Sequence, residues 1–210
     1  MKSPGAAEPF NLSVLDDEDP EFWYHVYATH EHPNDALTFA RGWGDTRFAP
    51  IKLPGGSVAH TYYVASTPRA AIMESVFHDV PLSPPGHISV SSLSGYYLVK
   101  LRLADPVNYV SFHSQFLPAL GLTRTELIES LPAFYGNTRP WSEAAFAQRP
   151  KAQALGYGSR LHDSSRCLML IEQRLSDPPF EVLSNDCLAV EPLRRRVLDF
   201  ARQLGISETP

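Results

Sequence analysis

Residues 61–79 read TYYVASTPRAAIMESVFHD, and this stretch decides the fold. Tyr62, Tyr63 and Val64 are β-prone and run straight into a helical pattern. Thr67 is a preferred N-cap, and Pro68 suits a first helical turn. The pattern predicts a helix over 68–79. At about 100° per residue, Ile72, Met73, Val76, Phe77 and Val80 fall on one side. Ala70, Ala71, Glu74, Ser75 and His78 fall on the other, so Glu74 lies on a face of small residues. A strand delivers Tyr63 at its end, and a short helix delivers Glu74 just beyond it.

Outward from this unit the elements are mixed. EFWYHVYA from Glu21 reads as a strand, and SVAHTYYVA as the strand that feeds the helix. The segment between them, HEHPNDALTFARGWGDTRFAP, is long for a connection, and long connections often carry function. YYLVKLRLAD, VNYVSF, RCLMLIEQ and FEVLSND read as further strands. TRTE at 123–126 has the form of a capping box, a helix begins near Pro140, and PLRRRVLDFARQLG closes the chain as a helix ended by Gly205. Strands and helices do not alternate regularly, so the class is α+β rather than doubly wound. Residues 1–20 are polar and end in LDDEDP, which predicts a mobile tail before one domain over 21–210.

Composition narrows the functions. A chain of 210 residues, 43% hydrophobic, can bury one substantial core. A net charge of −5 argues against gripping nucleic acid through its phosphates. No apolar run approaches the roughly 20 residues that span a bilayer. The start MKSPGAAEPF lacks the apolar segment of a signal peptide, so a cytoplasmic protein is expected, with Cys167 and Cys187 as reduced thiols.

The usual enzyme signatures do not fit. GYGSRLHD lacks the G-x-S-x-G elbow of serine hydrolases. HEH at 30–32 lacks the i, i+4 spacing of helical metal ligands, and no metal is expected. GGS at 55–57 is not followed by the lysine of a phosphate loop. What remains is Arg47 in TRFAP, Tyr63, Glu74, and Ser159 in GYGSR. Pattern alone gives each a structural role: a salt bridge for Arg47, a half-buried strand position for Tyr63, a solvated carboxylate for Glu74, a turn for Ser159. Arginine is also the natural bidentate clamp for a phosphate.

In this order and spacing, TRFAP, TYYVASTPRAAIMESVFHD, YGNTRPWSEAAFA and GYGSRLHDSSRCLMLIE resemble the RES domain family over roughly residues 22–185. That family is named for an arginine, a glutamate and a serine, and supplies the toxin of Xre–RES toxin–antitoxin pairs. The resemblance implies an ADP-ribosyltransferase-like fold of mixed sheets with flanking helices. It implies NAD as substrate, with no separate cofactor: the nicotinamide–ribose bond breaks and ADP-ribose passes to phosphate, water or a macromolecular target. Glu74 would then stabilise the positively charged ribose. Arg47 would bind the pyrophosphate, Tyr63 would pack on nicotinamide or ribose, and Ser159 and Arg160 would contact the phosphate side. A cognate Xre-type antitoxin is the implied partner, and a homodimer within that complex is compatible. One departure stands out: the family often carries an arginine on its first strand, where WYHVY has His25. A clamp with His25 there leans on Arg41 or Arg160 instead, and a domain with weakened turnover that only binds NAD or a partner is the rival reading.

Overall fold

The computed structural model describes residues 1–16, 18–30 and 32–210. Asp17, within LDDEDP, and Glu31, within HEH, lie outside the described residues. Among the described residues ten strands and four α-helices follow in the order β1 (Leu12–Val14), β2 (Trp23–Ala28), β3 (Thr61–Ala65), α1 (Pro68–Met73), β4 (His87–Ser89), β5 (Tyr96–Leu103), β6 (Asn108–Ser111), α2 (Arg124–Leu127), α3 (Tyr135–Gln148), β7 (Ala154–Gly158), β8 (Arg166–Ile171), β9 (Phe180–Cys187), α4 (Leu193–Gln203) and β10 (Ser207–Thr209). Eight strands form one sheet in the order β1-β6-β7-β8-β3-β2-β5-β9, and β10 pairs with β4 separately. Within the large sheet β6 and β7 are parallel and the remaining neighbours antiparallel. The fold is α+β, as the irregular mixture of elements predicts.

Strand alternation sorts the core into two clusters. Ala65 joins one cluster, with Tyr63 packed against it, together with Ile72, Met73 and Phe77 from α1 and the turns that follow. Tyr62 and Val64 point the other way and meet Trp23, Val99, Leu101 and Phe180. Both faces of the central strands are therefore covered, which is why β3 and β8 read as near-continuous apolar runs.

Three expectations need correction. The 68–79 helix ends at Met73, with Glu74 as its C-cap and turns beyond. Its small-residue face is partly covered: Ala70 and Ala71 are buried, while Ala71, Glu74, Ser75 and His78 line a cleft. The helix near Pro140 starts five residues earlier, at Tyr135, with Pro140 inside it. Proline there lacks the N–H that would bond to the Gly136 carbonyl, so the helix forgoes that one backbone bond. The N-terminal segment also has something to bury: Phe10 packs edge-on to Trp141, β1 pairs with β6, and the Trp141 indole donates to the Lys2 carbonyl.

Candidate functional site

The site begins where two central strands part. β2 and β3 share a single register pair, Tyr24 with Ala65, whereas β2 pairs with β5 over six positions. Past that pair the gap is bridged by a side chain, His25 Nδ1 to the Tyr63 carbonyl at 2.7 Å. A carbonyl only accepts, so Nδ1 carries the proton. The split opens a cleft of about 320 Å³ lined by Tyr24, Arg47, Tyr63, Glu74, His78 and Cys167, among others. That is at the small end of ligand pockets, which run from about 300 to 1,000 Å³. A second hollow of about 210 Å³ adjoins it through His25, Val26 and Tyr63.

Glu74 reaches this cleft from the C-terminal end of α1. Its Oε1 accepts from the Ser159 hydroxyl at 2.6 Å, the Arg160 backbone N–H at 2.7 Å and, more loosely, the Leu161 N–H at 3.4 Å. Among the described residues nothing donates to Oε2. One oxygen is thus fixed by a hairpin loop and the other is left for the cleft. The same loop, residues 159–165, also grips the start of the helix, where the Thr67 cap contacts Ser165 Oγ at 2.9 Å. Both ends of α1 are tied to one loop, and that sets the direction of the carboxylate.

Arg47 lines the same cleft from the loop before β3. The residue is 4% exposed, and its Nε and Nη2 have no hydrogen-bond partner among the described residues. Buried polar groups are nearly always paired, and an unpaired charged one costs several kcal/mol by rough count. The guanidinium lies 5.8 Å from the Phe48 ring centre and 5.7 Å from that of Tyr135, contacts that recover part of the cost. Its backbone is clamped by α3. Thr138 donates to the Arg47 carbonyl, and Arg139 donates to the Thr46 carbonyl at 3.1 Å while pairing with Asp45. Thr138 and Arg139 of the YGNTRPW segment therefore hold the Arg47 backbone, while Tyr135 of the same segment faces its charge.

Among the described residues no carboxylate forms an ion pair with that charge, although Glu74 and Asp79 line the same cleft. Burial pushes the Tyr63, Tyr157 and Cys167 protons up in pKa, so these lining groups stay neutral. Tyr63 holds its hydroxyl against Thr46 Oγ1 at 2.7 Å, on the same loop as Arg47. His78 sits at the rim, with Nδ1 2.7 Å from Asp79 and Nε2 3.4 Å from the Tyr135 hydroxyl.

The remaining candidates are placed differently from expectation. Ser159 is fully buried, and its hydroxyl proton goes to Glu74 rather than into the cleft. Arg160 turns away from the cleft, donating to the His78 carbonyl at 2.8 Å and lining a neighbouring groove. Arg41 is exposed and lines neither hollow of the split. His25 lines the cleft but stacks on Tyr62 at 4.0 Å, and burial lowers its pKa from 6.5 to about 4. It is neutral at pH 7, and its ring donor is spent on Tyr63. Of the proposed phosphate contacts, only Arg47 reaches the cleft as a free cation. Sequence reading missed Thr46, Thr138 and Arg139, whose signal lay in two segments, TRFAP and YGNTRPW, that meet only in space.

A family model described as RES domain matches residues 22–184. Among solved structures, a chain from the M.tuberculosis MbcT–MbcA toxin–antitoxin complex aligns over 85% of this chain and 87% of its own, with a TM-score of 0.61 at 18% identity. No curated protein matches.

Proposed function

Because the chain belongs to the RES domain family, we propose that it is the toxin of a toxin–antitoxin pair and that its cleft cleaves NAD between nicotinamide and ribose. The observation that carries this reading is the pairing of an unpartnered buried guanidinium with a half-fixed carboxylate across one small cleft. A dinucleotide offers what both groups lack. Its pyrophosphate accepts the free Arg47 donors, and its ribose develops positive charge as nicotinamide leaves.

The chemistry is a substitution at the ribose anomeric carbon. The bond to the nicotinamide nitrogen breaks and its electron pair leaves with the neutral ring. Glu74 Oε2 faces the oxocarbenium-like carbon and stabilises it electrostatically. Oε1 stays hydrogen-bonded throughout, so the carboxylate needs no reorganisation at the moment of reaction. Tyr63 packs beside the ribose or nicotinamide. Water or inorganic phosphate then closes the bond to carbon, giving ADP-ribose or its phosphate ester and a proton. Modification of a macromolecule is the same reaction with a different acceptor.

Toxicity of this kind needs restraint, and the similarity to a chain from a toxin–antitoxin complex motivates a protein antitoxin as partner. The test is direct. Purified protein mixed with NAD releases free nicotinamide, faster with phosphate if phosphate is the acceptor, and Glu74→Ala does not. Labelled NAD that marks a protein band would reassign the acceptor. Absence of nicotinamide release by the wild type, or equal release by Glu74→Ala, would sink the proposal.

A further inference from the structure

The hairpin loop that fixes Glu74 is itself fixed from outside the cleft. Arg124, the first residue of α2, donates through Nη2 to the Ser159 carbonyl at 2.9 Å and to Asp163 Oδ1 at 2.7 Å. Its Nε meets Glu129 Oε1 at 2.9 Å, and Thr125 holds the other oxygen of Glu129 at 3.0 Å. The helix start is secured by a complete capping box between Thr123 and Glu126. One guanidinium thus spans the first and fifth residues of the 159–165 loop from a rigid base.

The geometry of the peptide bond gives this contact a consequence. The Ser159 carbonyl and the Arg160 N–H belong to one peptide unit and point in opposite directions when it is trans. Holding the carbonyl outward, toward Arg124, holds the N–H inward, toward Glu74. Rotation of that unit would remove the 2.7 Å bond from Arg160 N to Glu74 and disturb the serine that donates at 2.6 Å. Without Arg124 the carbonyl has no side-chain partner among the described residues, and the bonds left within the loop, Ser159 N to Ser165 O, Ser165 N to His162 O, His162 Nδ1 to Ser165 Oγ and those to the Ser159 hydroxyl, do not hold that carbonyl. Gly158 just before the loop leaves room for the contact: a Cβ there would come 3.1 Å from Arg124 Nη1.

We propose that Arg124 is a positioning residue for Glu74, acting through the Ser159–Arg160 peptide. The functional part of this inference rests on the NAD-cleaving reading; the structural part stands without it. Arg124 lies outside the cleft, so its loss changes the orientation of the carboxylate and not substrate contacts.

The experiment compares wild type, Arg124→Ala and Arg124→Lys by amide hydrogen exchange and by the kinetics of nicotinamide release. In Arg124→Ala the Arg160 and Leu161 amides exchange at least about tenfold faster while the sheet amides keep their protection. Its kcat falls about tenfold with KM within about twofold, the signature of a lost transition-state interaction. Arg124→Lys recovers part of both, since an ammonium can hold the carbonyl but not span all three acceptors. Unchanged exchange at Arg160 and Leu161 in folded Arg124→Ala overturns the proposal. If that variant does not fold, Asp163→Asn replaces it: Asp163 is exposed, and losing its charge is expected to speed the same two amides about threefold, with no change counting against the proposal. A wild type that releases no nicotinamide refutes the NAD reading alone, because the exchange data still decide the role of Arg124.

Discussion

Glu74 and Arg47 line the same cleft, yet one has an oxygen held by three donors and the other, among the described residues, has no partner on two of its nitrogens. Three donors converge on Glu74 Oε1, supplied by a loop that is itself pinned at both ends. Arg47 is buried just as deliberately, with its carbonyl clamped by Thr138, but its Nε and Nη2 meet only aromatic faces. The difference separates two jobs. A group that must stabilise a brief positive charge is best held rigid before the reaction. A group that must bind an anion keeps its donors unspent until the anion arrives, at a cost in stability.

That contrast can be broken at either end. The largest effect is expected from Glu74→Gln, which keeps the shape and removes the charge: kcat for nicotinamide release falls about 10²- to 10³-fold with little change in KM. Next is Arg47→Met, which keeps length and apolar contact. NAD affinity by calorimetry falls by about 10- to 100-fold, as expected for losing charged hydrogen bonds. The melting temperature without ligand rises by a few degrees, because a buried unpaired charge is gone. A stability loss in Arg47→Met would show that the guanidinium is structural after all. Ser159→Ala acts on the rigid side: it removes a donor to Glu74 and an acceptor for the His162 and Leu161 N–H groups, so stability falls by about 1–3 kcal/mol in denaturant titration and turnover drops with it.

The smallest effect concerns His25. Its pKa is lowered from 6.5 to about 4 by burial, so the unfolded chain binds a proton that the folded chain refuses. Its contribution to stability is complete above about pH 6.5 and is lost as pH falls toward 4. Unfolding curves across that window should show this decline in the wild type and a shallower one in His25→Gln.

How much of this could be read from the chain follows from the range of the interactions. The alternation in Tyr62, Tyr63 and Val64 and the Thr67 cap are local, and both are found in the structure. Glu74 was visible as an oddly placed carboxylate, but a helical wheel could not show that its partner Ser159 lies 85 residues away. The same wheel placed Ala70 and Ala71 on the Glu74 face, and it could not show that both are buried. Phe10 was overlooked because a single aromatic in a polar stretch gives no periodicity, and β1 is only three residues long. Arg41 and Arg47 looked alike in one loop. Only the fold shows that α3 turns one inward and leaves the other at the surface. Arg124 stood within a recognisable capping box, and nothing local pointed to its contact with Ser159, 35 residues on.

The division of labour across the cleft is the central claim, and steady-state kinetics on two variants tests it. With purified protein, NAD and a nicotinamide readout, Arg47→Met should raise KM more than it lowers kcat, and Glu74→Gln should lower kcat with KM nearly unchanged. Two variants that both turn over NAD like the wild type would contradict the account.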